Sequence, residues 1–442
     1  MLLPITSKVN KNNHMEISGI DFSGLVSKYG TPLYVYDIKT IKHQCREYIS
    51  NFNFEGIQST IIYASKAFNC IAMCQLVKKE GLSIDVSTGG ELFIALESGY
   101  DPEKIYFHGN NKSEEEIKYG IKSKVGCFIA DNFEELENLQ KTAKEYGIIQ
   151  NILLRITPGI HASTHEYIQT GKEKSKFGFG LTGGVALEAV KKVLSMKNLK
   201  LKGIHSHIGS QIFNIEPYEK LIGVQLKFLA EVKKHTGVEL DWINIGGGLG
   251  VKYLESDNPA SIAELAKTVK NAIKTYSEKY NVKIKKLMLE PGRSIAGNAG
   301  ISIYKVGVVK EIPQIHNYIA VDGGMSDNIR PVLYGAVYTP FIANRMDDTK
   351  KVNDKRDWKK YSIVGKHCES GDILIENAFL PDINVGDFIL LATAGAYCYS
   401  MSSNYNGQTK PAIVAVENGK DYLWIERESY KDLIKGHGEL HE

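Results

Sequence analysis

One rhythm constrains this chain more than anything else in it: short apolar, β-type runs alternate with longer helix-patterned segments through its first two thirds. The runs are Ile61–Ala64, Leu82–Val86, Ile105–His108, Cys127–Ala130, Ile152–Ile156, Gly203–His207, Trp242–Ile245 and Lys286–Leu289. Between them lie helix-like stretches, Cys70–Glu80, Gly90–Ser98, Ser113–Lys122, Phe133–Tyr146, Gly184–Met196, Pro217–Thr236 and Ser261–Tyr280. Apolar runs joined by helices are the signature of parallel βα units. About eight strands, each followed by a helix, over about 240 residues match the size and count of a (β/α)8 barrel. An open, doubly wound sheet is the alternative, because rhythm alone does not establish closure.

Either side of this region the pattern differs. Residues 1–30 are polar and close on an amphipathic stretch, Phe22–Tyr29; Leu33–Asp37 is strand-like and Ile38–Asn51 has helical spacing. Beyond Gly297 come Ile301–Ile312, Ile319–Asp322, Tyr361–Val364, Asp387–Thr393 and Pro411–Glu417, β-type runs without intervening helices, which predict an all-β module. The charged patch Asn344–Lys360 reads as a solvated loop or hairpin tip. A length of 442 residues suits two domains, one of them a large barrel.

Composition removes several classes of function. A formal net charge of +3 is small for this length, and no basic run is interleaved with aromatics, so a nucleic-acid groove is not expected. No stretch of 18 apolar residues suggests a membrane span, and the polar N-terminus has no secretory pattern. Cys45, Cys70, Cys74, Cys127, Cys368 and Cys398 are scattered, with no zinc spacing, and read as free thiols in a reducing, cytoplasmic compartment.

In a barrel the active site is built just after the strands. Those positions hold Lys66 after the first run, Asp85 and Ser87 in and after the second, Asn110 after the third and Arg155 in the fifth. They continue with His207 and Ser210, the glycines Gly246, Gly247 and Gly248, and the turn Glu290-Pro291-Gly292-Arg293. A lysine closing a strand can be a solvated cap; partly desolvated, it becomes a nucleophilic amine suited to a Schiff base with an aldehyde. The glycine run falls after the seventh strand, where barrels often bind phosphate. Glu290 and Arg293 suit a structural ion pair, or a carboxylate that keeps a pyridine nitrogen protonated. His205 and His207 alternate on one side of a strand; a metal pair is conceivable, but no third ligand is evident, and an imidazole stacked on a flat cofactor fits better.

The β module carries three polar runs: Asp322 to Pro331 with Tyr334 after it, Cys368-Glu369-Ser370-Gly371-Asp372, and Gly395 to Asn406 with Tyr397 inside it. Carboxylates beside Cys368 disfavour a thiolate and leave a protonated thiol, which a proton donor needs.

With these residues in view the chain resembles the diaminopimelate decarboxylases, of the alanine-racemase-like group of pyridoxal-phosphate enzymes, from about Thr31 to Pro411. The most specific pieces are Tyr63-Ala64-Ser65-Lys66-Ala67, His205 to Gln211, Glu290-Pro291-Gly292-Arg293, Asp322 to Pro331, and Met401 to Asn406. The resemblance implies a pyridoxal-phosphate barrel over 38–296, and a C-terminal β-sandwich or β-barrel domain over 297–442 that also receives 1–37. It implies Lys66 as the Schiff-base lysine and His207 stacked on the cofactor. Asp85, Ser210, Gly246, Gly247, Gly248, Glu290, Pro291, Gly292, Arg293 and Tyr397 would complete the cofactor site. Substrate contacts would come from Arg293, Arg330, Tyr334, Glu369 and Tyr397, with Cys368 as proton donor and no metal. The implied reaction is decarboxylation of meso-2,6-diaminopimelate to L-lysine, the last step of lysine biosynthesis, by a homodimer with Cys368 and Glu369 reaching across to the other subunit's site. Gly365-Lys366-His367-Cys368 departs from the family pattern, which has proline after the glycine. Decarboxylases of carboxynorspermidine, arginine or ornithine, an alanine racemase, and a non-catalytic cofactor-binding regulator are the competing readings; Arg330 argues against ornithine.

Overall fold

The computed structural model describes residues 1–160, 175–350 and 358–440. The chain divides into two units, one of Met1–Ile41, Lys252–Asp257 and Ala296–Glu442, the other of Lys42–Val251 and Asn258–Ile295. The segment Lys252–Asp257 goes with the first unit although it lies between two barrel runs.

In the second unit eight strands run parallel: β1 (Gln58–Ala64), β2 (Ser83–Val86), β3 (Ile105–Phe107), β4 (Cys127–Ala130), β5 (Gln150–Thr157), β6 (Leu199–His205), β7 (Trp242–Asn244) and β8 (Lys286–Leu289). Each pairs with the next, β4 pairs β5, and β8 returns to β1, so the sheet is a closed barrel. That excludes the open doubly wound sheet. The middles of the strands are largely apolar and buried because both faces are covered, while polar residues such as Gln58, Asp85, Arg155 and Lys200 lie toward their ends. Inside lie Ile62, Tyr106, Cys127, Ile129, Leu153 and Met288, with Trp242 packed against them. Each such side chain contributes about 1.5–3 kcal/mol by leaving water.

The helices between strands begin on the caps the sequence offers. Ser113 with Glu116, and Ser261 with Glu264, form capping boxes, while Asn132 accepts from the Glu135 N–H at 2.9 Å. One expectation fails at β6, which ends at His205 rather than His207. Ser206 N–H still donates to the Asn244 carbonyl at 2.9 Å, but β7 ends there and offers no further ladder. His207 therefore lies beyond the pleat, and strand alternation does not set its direction.

In the first unit a thirteen-residue strand, Gly300–Ile312, organises the sheet. It pairs antiparallel with His316–Val321, Phe388–Leu391 and Leu33–Asp37, and Leu33–Asp37 pairs in parallel with Ala412–Glu417. The N-terminal segment thus supplies an inner strand of the C-terminal sheet. Leu33, Val35, Ile301, Ile303, Leu390, Val414 and Val416 share its core with Met15, Ile17, Phe22 and Leu25. Three short helices, Arg330–Tyr334, Met346–Lys350 and Tyr430–Leu433, interrupt what the sequence pattern gives as helix-free. The stretch Asn344–Lys360 is not all solvated loop: Met346 is buried, Asn344 donates to Asp387 at 2.8 Å, and Arg345 pairs with Asp387 at 2.6 Å. Residues 351–357 of that stretch lie outside the described residues.

Candidate active site

Lys66 sits in the single 3-10 turn Ser65–Ala67 that follows β1, its side chain exposed. The turn is tightly held. Ser65 N–H donates to Asp85 Oδ1 at 3.2 Å and Ala64 N–H to the Pro291 carbonyl at 3.0 Å. Gly292 packs against it so closely that a Cβ there would lie 2.9 Å from the Ala64 Cβ and 3.0 Å from the Ala67 Cβ. The small residues either side of Lys66 therefore let the Glu290–Arg293 turn approach. Burial and the charge of Glu290 push the Asp85 carboxyl well above the usual range, against the opposing pull of Lys66.

Glu290, just past β8, is the best-supported carboxylate in the barrel. Asn244 Nδ2 donates to Oε1 at 2.7 Å; His108 Nε2 stands 2.9 Å from the same oxygen, at an oblique angle, and His205 Nε2 is 3.1 Å from Oε2. Burial alone would raise its pKa, but the facing histidines outweigh that and hold it well below the ordinary carboxylate range. Its partners are these three side chains and not Arg293, so the structural ion pair considered for Glu290–Arg293 does not form. The third donor that sequence spacing did not reveal near His205 is thus Glu290, with His108. The spacing of the three would suit a cation, and one carboxylate with two neutral imidazoles suits a protonated ring nitrogen equally well.

His207 accepts the Gly247 N–H on Nδ1 at 3.3 Å. Desolvation, helped by Lys66 and Arg155, keeps its imidazole neutral. The glycine run is less of an anion nest than its composition suggests, since Gly246 N–H donates to Asn244 Oδ1 at 2.9 Å and Gly247 N–H to His207. Gly248 has a φ of +109° and a Cβ there would stand 2.3 Å from the Gly209 carbonyl, so only glycine fits. Beside it, Ser210 Oγ accepts from Arg293 at 3.0 Å. Gly248, where only glycine fits, with the hydroxyl of Ser210 and the guanidinium of Arg293, offers the donors and charge that a phosphate needs, and Lys66, His207 and Glu290 supply the amine, the neutral imidazole and the carboxylate. These residues fit pyridoxal phosphate.

The remaining predicted residues lie in the first unit. Arg330 is buried and donates through Nη1 to Tyr253 at 3.2 Å and to Tyr338 at 2.5 Å; Tyr338 OH lies 3.3 Å from Cys398 Sγ. Tyr334 is half-buried on the same short helix, and Tyr397 holds a left-handed backbone at φ +63°. Cys368 and Glu369 are exposed. Their loop is fixed from behind: Cys368 N–H donates to Asn406 at 2.9 Å, His367 N–H and Nδ1 both meet Asp372, and the His367 ring stacks on Tyr405. Lys366 N–H donates to the Gly323 carbonyl at 3.0 Å, a bond that proline cannot make, which accounts for the departure at this position.

Sequence reasoning missed the supporting residues His108, Asn244, Tyr253 and Tyr338, and picked out Asp372 and Asn406 only as members of polar runs, without their supporting role. His108 had a usable signal, since it ends an apolar run as Lys66 does.

Asp327, in the same polar run, is pushed up to about 7 by burial and by the charges of Asp322 and Asp372. An unfolded chain ionises this carboxyl near 3.8. The folded chain therefore binds the extra proton between those values, and stability falls as pH rises through that window. Asp327→Asn should flatten this dependence and stabilise the protein near neutral pH by on the order of a few kcal/mol. Melting curves of both proteins from pH 5 to 8 check it; identical slopes would contradict it.

Residues 38–297 match the family described as pyridoxal-dependent decarboxylase, pyridoxal binding domain. The chain is 44% identical over 435 residues to a diaminopimelate decarboxylase of Bacillus subtilis, covering 98% of each. It superposes on a diaminopimelate decarboxylase from M. jannaschii in complex with L-lysine with a TM-score of 0.91 at 35% identity, covering 100% of this chain and 99% of that one. A lysine/ornithine decarboxylase from Vibrio vulnificus shares the fold, with a TM-score of 0.74 at 22% identity over 90% of this chain and 97% of that one. Among the described residues no helix is long and apolar enough to cross a membrane.

Proposed function

The chain belongs to the diaminopimelate decarboxylases, which are pyridoxal-dependent carboxy-lyases, and from that membership we propose how its own side chains divide the conversion of meso-2,6-diaminopimelate to L-lysine and carbon dioxide. Pyridoxal phosphate, when bound, supplies a protonated ring that takes up the electrons left behind by carbon dioxide. Lys66 would hold it through the ε-amine and His207 would lie against its face. Glu290 would face the ring nitrogen, with Pro291 and Gly292 shaping the turn. Gly248, Ser210 and Arg293 would hold the phosphate, while Gly246 and Gly247 set the path of that loop. Asp85 fixes the Ser65–Lys66 turn and can hold a proton beside the lysine amine. Tyr397 we assign to both cofactor and substrate.

Specificity falls to Arg330, and this residue carries the reading. Its guanidinium is buried among tyrosine hydroxyls and a thiol, and among the described residues no carboxylate comes within ion-pair range of it. A desolvated cation so placed is a receptor for an incoming carboxylate, taken in a bidentate geometry. Glu369 would pair with the distal ammonium, and Tyr334 and Arg293 would line the rest. A substrate with an amino-acid head at each end satisfies both charges. Diamine-type substrates leave Arg330 empty.

Cys368 would return a proton to the α-carbon, acting with Glu369 in the site of a second copy of the chain. The exposure of this one thiol, when the other five are buried, supports that placement. We also infer a cytoplasmic location, in keeping with six cysteines that form no disulfide.

The test is carbon dioxide release from meso-diaminopimelate, lysine, ornithine, arginine and carboxynorspermidine. Only the first should turn over well, and Arg330→Ala should lower its kcat/KM by roughly 10²–10³-fold, as for removal of one partner of a buried charge pair. The cofactor absorption should not change. Comparable rates on a substrate without a distal carboxylate would refute the assignment.

A further inference from the structure

We propose that His108, His205 and Asn244 are positioning residues that hold Glu290 in one orientation with a single acceptor site left open for a ring N–H. The inference rests on the assignment of Glu290 to the pyridine nitrogen. An ionised carboxylate offers about four lone-pair sites. Oε1 accepts from Asn244 at 2.7 Å and is covered on its other side by His108 Nε2, an oblique 2.9 Å away, while Oε2 has only His205 at 3.1 Å, so the uncovered site is on Oε2.

The three supports come from β7, β3 and β6, so the closed barrel itself fixes their geometry. The two imidazoles meet edge to face, their centroids 5.0 Å apart. Asn244 is locked in turn, its Oδ1 accepting from Gly246 N–H at 2.9 Å. To donate through Nε2 His205 must carry its proton there, and its Nδ1 is correspondingly buried with no hydrogen-bond partner, while His108 Nε2 faces Oε1 at too oblique an angle for a hydrogen bond. Desolvation takes His205 down to about 4 and lowers His108 as well, against the pull of Glu290. Both rings therefore stand against Glu290 as neutral groups and leave the cluster with its single negative charge. Two protonated histidines would give it a net positive charge and repel a pyridinium. The other charged groups facing the cluster are Arg155, Lys66, Lys112 and Asp85.

The experiment uses the holoenzyme and two readouts besides turnover: the cofactor absorption spectrum and the rate at which pyridoxal phosphate leaves on dilution. His205→Leu and His108→Leu should each speed release roughly ten- to a hundred-fold, as expected for loss of one polar partner of a charged group. Each should shift the absorption bands toward those of Glu290→Gln, and His205→Gln, which keeps a donor, should recover part of both effects. If the leucine chains do not fold, His205→Phe and His108→Phe, which keep a ring and lack a donor, are judged by the same criterion. A parental spectrum in Glu290→Gln would overturn the pyridine assignment and this inference with it. A shifted spectrum in Glu290→Gln with parental spectra and release rates in the histidine variants would overturn the positioning role alone.

Discussion

Lys66→Ala chains should fold, carry no borohydride-reducible cofactor adduct, and release carbon dioxide at background. The side chain is exposed on a short turn, so truncation should change stability by no more than about 0.5 kcal/mol. What is lost is the amine. Asp85, Glu91 and His207 all feel the charge of Lys66, which places its ammonium among them at the strand ends. Among the described residues Lys112, after β3, is a rival of similar position, and its surroundings rule it out. Lys112 Nζ donates to Glu135 at 2.6 Å and to the carbonyls of Gly109 and Ile129 at 2.9 Å each. All three ammonium protons are committed, and a lysine so satisfied is a structural cation with no lone pair to offer. Borohydride reduction of the parent followed by peptide mapping should therefore find the pyridoxyl group on Lys66. Finding it on Lys112 or any other lysine would overturn the assignment.

The contrast between Lys66 and Lys112 shows where sequence reading stops. Both lysines follow β-type runs, and only the folded barrel reveals that one is saturated by Glu135 from the helix Phe133–Glu145, which follows β4. All eight barrel strands were legible because burial on both faces demands apolar runs, but their polar ends were not, so β1, β5 and β6 start two to four residues before the runs that mark them. Where a strand faces solvent that signal fades. Ile373–Leu380 mixes buried with exposed side chains, Lys420–Ile425 has no buried one, both carry charges, and neither was anticipated. The supports of Glu290 were hidden for a different reason. His108, His205 and Asn244 are far apart in the chain and meet only when β3, β6 and β7 close around β8. Tyr253 reaches Arg330 across 77 residues for the same kind of reason. Motifs expose the side chains that do chemistry; what orients them depends on closure, which periodicity does not encode.

Cys368→Ala should reduce turnover by roughly 10²–10⁴-fold, the range for loss of a positioned proton donor. The backbone that presents the thiol would survive, because Asn406, Asp372 and Gly323 hold the loop through main-chain N–H groups and the His367 ring. Carbon dioxide should still be lost, while the proton returns slowly or at the wrong carbon, so product analysis in deuterated water separates this defect from a loss of binding. An exposed thiol on a rigid loop is poorly explained by the chain alone and well explained by a second copy that receives it. That idea has a decisive test. Mixed Lys66→Ala and Cys368→Ala chains, each inactive, should form hybrid dimers in which one site has both native residues and the other has neither. With equal amounts and random exchange, half of the dimers are hybrids, and the mixture should recover about a quarter of wild-type activity. Exchange is verified independently by mass difference or by a tag on one chain. If hybrids form and activity stays at background, Lys66 and Cys368 serve one chain's site, and the assignment of Cys368 to a second copy fails.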